Sequence, residues 1–146
     1  LGLSKLLLGT TDPIEIAKLA KEGNESGVDL ILEDVVSGPI GELPSETTAV
    51  NFGKISKIDS KISTQDIAAG IVNLVGQTAA RVATSVATTF NAKEIVVVGR
   101  SPSFNGLKNS LEQAASIMGF SPHFPKNGEY ASALGALLVA EKNPSD

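Results

Sequence analysis

Four consecutive β-branched residues, Ile95-Val96-Val97-Val98, run into Gly99 and a polar loop. Such a run reads as a strand buried on both faces, over residues 93–100, and a strand of that kind belongs in a parallel or mixed sheet covered by helices. Leu107, Leu111, Ala114/Ala115 and Met118 then set the buried face of a helix that stops at Gly119. In an open α/β sheet, ligands collect where the carboxyl end of a strand meets a helix N-terminus. Gly99 lets a ligand approach the backbone, Arg100 can stack or pair, and Ser101 and Ser103 supply hydroxyls. The rest of the chain is expected to be arranged around that edge.

Upstream, Leu1, Leu3, Leu6, Leu7 and Leu8 suit a helix closing at Gly9. Asp12-Pro13 starts a second helix, with Asp12 as cap, Pro13 at the first helical position and Glu15 at the positive end of the dipole, ending near Gly23. Residues 28–36 carry both a strand and a helix signal; Val28, Leu30 and Leu32 alternate, and a strand is expected. Gly38-Pro39 and Gly41 mark a turn-rich connection. A charged connector rich in Lys and Ser leads to the longest helix. It opens at Ser63, with Asp66 three residues on as in a capping box, and runs to Asn91. Ile67, Ile71, Leu74/Val75, Val82, Val86 and Phe90 recur at helical spacing among Ala79, Ala80, Ala83 and Ala87. Such a helix should be central, packing in the core or, alternatively, at a subunit interface. A short strand over 121–125, a turn at Asn127-Gly128, an Ala- and Gly-dense closing helix over 129–138 suited to close packing, and a tail from Asn143-Pro144 complete the chain. Strands alternate with helices, so the class is α/β.

At 146 residues the chain is one domain's worth, enough to bury about 70% of its unfolded surface. A net charge of −4 without basic clusters points to neither nucleic acid nor an anionic membrane as partner. The absence of cysteine rules out disulfides and thiol nucleophiles and fits a reducing cytosol. No apolar run approaches the ~20 residues of a membrane span. The sequence contains neither a P-loop nor a dinucleotide fingerprint, and no His/Asp/Glu set has metal-ligand spacing. His123, the single histidine, reads as a surface or core residue, and Glu33-Asp34 as a solvated strand end or turn. The sequence starts at Leu1 with Met118 as its one methionine, so it is expected to be part of a longer protein.

Three ordered stretches resemble the carboxyl-terminal half of the type II pantothenate kinases, bacterial members of the actin-like kinase fold. They are Leu43-Pro44 with Thr48-Ala49-Val50-Asn51-Phe52-Gly53, then 95–101 with Asn105 and Leu107, then 127–137. Leu1-Gly2-Leu3 is similar to the segment after the family's second glycine-rich loop. The resemblance implies the carboxyl-terminal part of an actin-like (ribonuclease H-like) kinase fold, a mixed sheet packed by helices, with residues 1–146 lacking the amino-terminal phosphate-binding half. It implies that ATP, with Mg²⁺, phosphorylates pantothenate at its terminal hydroxyl in the cytoplasm, as the first step toward coenzyme A. It further implies a homodimer whose sites borrow residues across the interface. By position, Gly99, Arg100 and Ser101 match the loop at the adenosine end of ATP. Pro13 falls near an aromatic position that lies against the nucleotide, a contact proline puts in question. Thr48 and Ala49 match residues that reach pantothenate from the other subunit. Ala114 or Ala115 falls where some relatives carry a bulky aromatic. The phosphate loop and the glutamate general base are expected before Leu1, so this segment holds no catalytic residue and no metal ligand and should be inactive alone. Two other readings are a non-catalytic α/β binding or dimerisation module, and part of an actin-like sugar kinase.

Overall fold

The computed structural model describes residues 1–142 except 39, 42 and 58–60. Pro39 and the tail from Asn143 therefore lie outside the described residues. The long helix α3, Thr64–Thr89, is the axis of the fold. Helices α1 (Gly2–Leu8), α2 (Pro13–Glu22) and α4 (Asn105–Ile117) pack on it. Its buried face is made of small residues and short apolar ones, including Ala68, Ile71, Val72, Gly76, Ala80 and Ala87. A side chain at Gly76 would meet Ser110 Cβ at 2.6 Å, so the bare backbone there is what lets α4 come so near. Ala80, Leu111 and Ala115 form the core between the two helices, with Val97, Phe120 and Phe124 against them.

The caps follow the sequence closely. Gly9 closes α1, and Asp12 Oδ1 accepts from Ile14 N at 2.9 Å with Pro13 at the first turn of α2. Ser63 caps α3, accepting from Asp66 N at 3.0 Å. The expected return leg of the capping box is absent. Asp66 instead accepts from Asn24 N at 2.8 Å, tying the end of α2 to the start of α3. Its shorter side chain serves a long-range tie where a glutamate would have reached back to the cap.

The strand expected over 28–36 shrinks to β1, Leu30–Ile31, which pairs antiparallel with β2, Thr48–Val50. The reason is local. Asp34 Oδ2 accepts from Ile31 N at 3.0 Å and closes a 3-10 turn over Leu32–Asp34, and Val35 and Val36 end up exposed. Lys54 Nζ sits 2.7 Å from the same oxygen. That ammonium, then the Ile31 N–H, hold the Asp34 carboxyl below the usual aspartate range. A depressed pKa contributes stability above the unfolded value of about 3.9, lost as pH falls through the folded value. Lys54→Met should therefore move the Asp34 carboxyl titration up toward the ordinary range, with the Ile31 N–H still holding it somewhat below. Any stability difference from the parent should be present at neutral pH and fade below pH about 4.

The β-branched run Ile95-Val96-Val97-Val98 also departs from expectation. Neither the strand expected over 93–100 nor the one expected over 121–125 forms. What remains is a single parallel bridge, Val96 with His123, in which Val97 N donates to His123 O at 2.9 Å and His123 N to Ile95 O at 2.8 Å; Gly99 N donates separately to Gly128 O at 2.9 Å. Burial is also one-sided. Val97 faces the α3–α4 core, while Val96 and Val98 are 55% and 47% exposed. Four β-branched residues in a row call for cover on both faces, and the helices of this chain cover one. The closing helix α5, Ala131–Lys142, likewise has no buried residue, contrary to the close packing expected of it. On α3, Val75, Val82, Val86 and Phe90, expected with Ile71 on one packed face, are exposed. The apolar set spans more of the helix circumference than α1, α2 and α4 occupy.

These open faces add up. The chain exposes 9833 Å², against about 7,000 Å² for a self-contained folded monomer of its mass. Among the described residues, no helix is long and apolar enough to cross a membrane.

Candidate functional site

A cavity of about 790 Å³ opens between α3, α4 and the segment that carries β2. Two of its lining residues, Asn73 and Thr48, belong to a polar network built around one carboxylate. Asp29 is fully buried, one residue before β1. Its Oδ1 accepts from Phe52 N at 2.7 Å, and its Oδ2 from Asn73 Nδ2 at 2.9 Å and Asn51 Nδ2 at 3.3 Å. Asn73 Nδ2 also donates to Thr48 Oγ1 at 3.1 Å, and Asn51 Nδ2 to Gln77 Oε1 at 3.2 Å. Ser110 Oγ lies 2.7 Å from Asn73 Oδ1 and 3.0 Å from Asn73 O. Buried polar groups are tolerable when paired in this way, and among the described residues no buried side-chain nitrogen or oxygen lacks a partner.

α3 supplies much of one wall, presenting Asn73, Gln77, Arg81 and Thr84 at intervals of three and four residues. α4 supplies Ser110, Ala114, Ile117 and Met118. The lining therefore mixes hydroxyls, amides, a guanidinium and the carboxylates of Glu25 and Glu46 with apolar groups such as Leu43, Ala114 and Ile117. It is suited to a small amphiphilic molecule with several oxygens.

Of the residues singled out from sequence, Thr48 and Ala114 line this cavity. Ala49, next to Thr48 on β2, is exposed. Ala115 is fully buried in the α3–α4 core, so Ala114 is the member of that pair facing the open space. Gly99 lines a separate, smaller cavity of about 300 Å³ with Pro102, Lys108, Phe124, Gly128 and Glu129. It has φ +94°, a backbone region costly for any side-chain-bearing residue. Lys108 Nζ stands 4.9 Å above the Phe124 ring at this second cavity. Arg100 and Ser101 follow on an exposed turn. Pro13 is exposed at the start of α2 and borders none of the cavities described. The structure thus gathers Thr48 with Ala114, sets Gly99 with its loop elsewhere, and leaves Pro13 apart from both. Among the described residues, no three His, Asp or Glu come together in a metal-ligating group, and no residue here is assigned to a metal.

The carboxylate and its amide partners were not singled out from sequence. A signal existed in α3, where Asn73 and Gln77 interrupt an otherwise apolar and small-residue face four residues apart.

A sequence profile described as Fumble matches residues 1–139. The chain belongs to the Fumble family. Among the relatives of this Fumble-family chain are proteins named type II pantothenate kinase. That of Bacillus cereus is 31% identical over 146 residues, covering 99% of this chain and 53% of the relative. That of Staphylococcus epidermidis is 30% identical over 140 residues, covering 94% and 53%. That of Staphylococcus aureus is 28% identical over 142 residues, covering 96% and 53%. The Fumble-family chain thus spans about half the length of the curated relatives it matches.

Proposed function

We propose that this chain is the carboxyl-terminal half of a cytoplasmic pantothenate kinase of the actin-like fold. The protein transfers the γ-phosphoryl group of ATP, taken with Mg²⁺, to the terminal hydroxyl of pantothenate, the first step toward coenzyme A. In that transfer the hydroxyl oxygen bonds to phosphorus, the β–γ bridging bond breaks, ADP departs, and the hydroxyl proton passes to a base outside this chain. Residues 1–146 contribute Thr48 and Ala114 to the wall of the vitamin pocket, and the purine-side loop at Gly99, Arg100 and Ser101. Phosphoryl transfer rests on gripping the phosphates and their metal, so this half does not catalyse alone.

The observation that carries the reading is the meeting of Thr48 and Ala114, from opposite halves of one chain, at one cavity of mixed polarity, whereas the resemblance implies that Thr48 reaches pantothenate from the other subunit. The names of the relatives fit the same chemistry. A homodimer accounts for part of the large open surface. The exposed residues Val75, Val82, Val86 and Phe90 lie along one side of α3 as a seam that a second copy would cover.

The test is an ADP-release assay on the full-length protein and on this chain. Pantothenate-dependent turnover is expected from the first and none from the second. Turnover with a sugar in place of pantothenate would overturn the substrate. Turnover by this chain alone would overturn the assignment of the phosphate grip to the other half.

A further inference from the structure

We infer that Asn73 is a positioning residue for substrate, acting through Thr48; the inference rests on the reading of Thr48 as a pantothenate contact. A threonine hydroxyl can both donate and accept, so its usefulness to a ligand depends on which role the protein already occupies. Here the accepting role is taken. Asn73 Nδ2 donates to Thr48 Oγ1 at 3.1 Å. Among the described residues no acceptor takes the Thr48 proton, and the hydroxyl borders the cavity. Thr48 is thereby set to donate into the open space, toward a hydroxyl, carbonyl or carboxylate oxygen of the bound molecule.

The orientation of the Asn73 amide is itself fixed. Its nitrogen faces Asp29 Oδ2 at 2.9 Å, and its oxygen faces Ser110 Oγ at 2.7 Å. A flipped amide would turn its oxygen onto a carboxylate, two acceptors with no proton between them. Both N–H groups of Asn73 are then used, one on Asp29 and one on Thr48. The chain Asp29–Asn73–Thr48 transmits the direction of a buried carboxylate to a hydroxyl at the cavity wall.

The experiment is a double-mutant cycle in the full-length protein, read as KM for pantothenate and kcat at saturating ATP, with melting temperature in parallel. Thr48→Val should raise KM about fivefold, the usual worth of one neutral hydrogen bond, with kcat within about twofold. Thr48→Ser should stay near the parent. Asn73→Ala should raise KM by a similar factor. In its background Thr48→Val should add less than about twofold, because the hydroxyl has lost its orientation. An undiminished fivefold effect of Thr48→Val in the Asn73→Ala background would overturn the positioning role, whatever the change in melting temperature. If Thr48→Val alone leaves KM unchanged, Thr48 is not a substrate contact, and the inference falls with that reading. Should Asn73→Ala fail to fold, Ser110→Ala loosens the same amide from its other side. The same loss of the Thr48→Val effect is expected there, and additive effects would overturn the proposal.

Discussion

Asp29→Ala is expected to remove about 4 kcal/mol of stability, a large part of the 5–15 kcal/mol that holds a typical domain. The three donors on this carboxylate do not lose equally. Asn73 Nδ2 keeps Thr48 Oγ1, and Asn51 Nδ2 keeps Gln77 Oε1. The Phe52 amide, 2.7 Å from Asp29 Oδ1, has no second partner to fall back on among the described residues. Its stranding costs about 1–3 kcal/mol, and the weakened amides and the void add to it. Asp29→Asn is expected to recover only part of the loss. With its oxygen toward Phe52, its amide nitrogen would face two amide nitrogens, all donors. Chemical denaturation of both variants against the parent measures this. A loss below about 1 kcal/mol for the alanine variant would show that the network does not hold the fold together.

Gly23→Ala is the second large effect, through steric overlap alone. A methyl group there would lie 2.1 Å from the backbone oxygen of Gln65 and 2.8 Å from Asp66 N. Neither atom can rotate away, since both belong to the first turn of α3. Gly23 has φ −101° and ψ 173°, an extended conformation any residue adopts, so backbone strain is not the cause. To relieve the overlap, α2 must withdraw from α3, which breaks the bond from Asn24 N to Asp66 Oδ1. Overpacking of this kind costs about 3 kcal/mol, or a fall of about 6–12 °C in melting temperature for a chain of this size. Asp66→Ala, which removes the tie without the overlap, is expected to cost less. If both variants melt together, the contact of the two backbones is not what Gly23 protects.

The helices were readable in the sequence because their signals are local. Asp12-Pro13, Ser63 and Gly119 mark boundaries by their own capping chemistry, and the structure keeps them. The strands were less so. Residues 28–36 alternate like a strand, but a turn made by Asp34 with Ile31 and Lys54 decides their path, and that turn depends on a lysine twenty residues away. The run at 95–98 states a demand for cover on two faces, while the supply of cover depends on packing partners no local pattern names. For the same reason the apolar pattern of α3 could not say which of its residues α4 would bury. In the candidate site, Thr48 and Ala114 came from the family resemblance. The Asp29–Asn73 scaffold beneath them rests on contacts between residues 44 positions apart, invisible to any window of periodicity.

Because one carboxylate gathers the segment before β1, the turn after β2 and the middle of α3, the network behind the cavity wall cannot assemble piecemeal. Asn73 and Thr48 take their places in that wall only when three distant parts of the chain have come together, so loosening any one of them disturbs both. Occupancy by a small molecule would then be felt as resistance of the entire helical core to opening, instead of as the stiffening of a single loop.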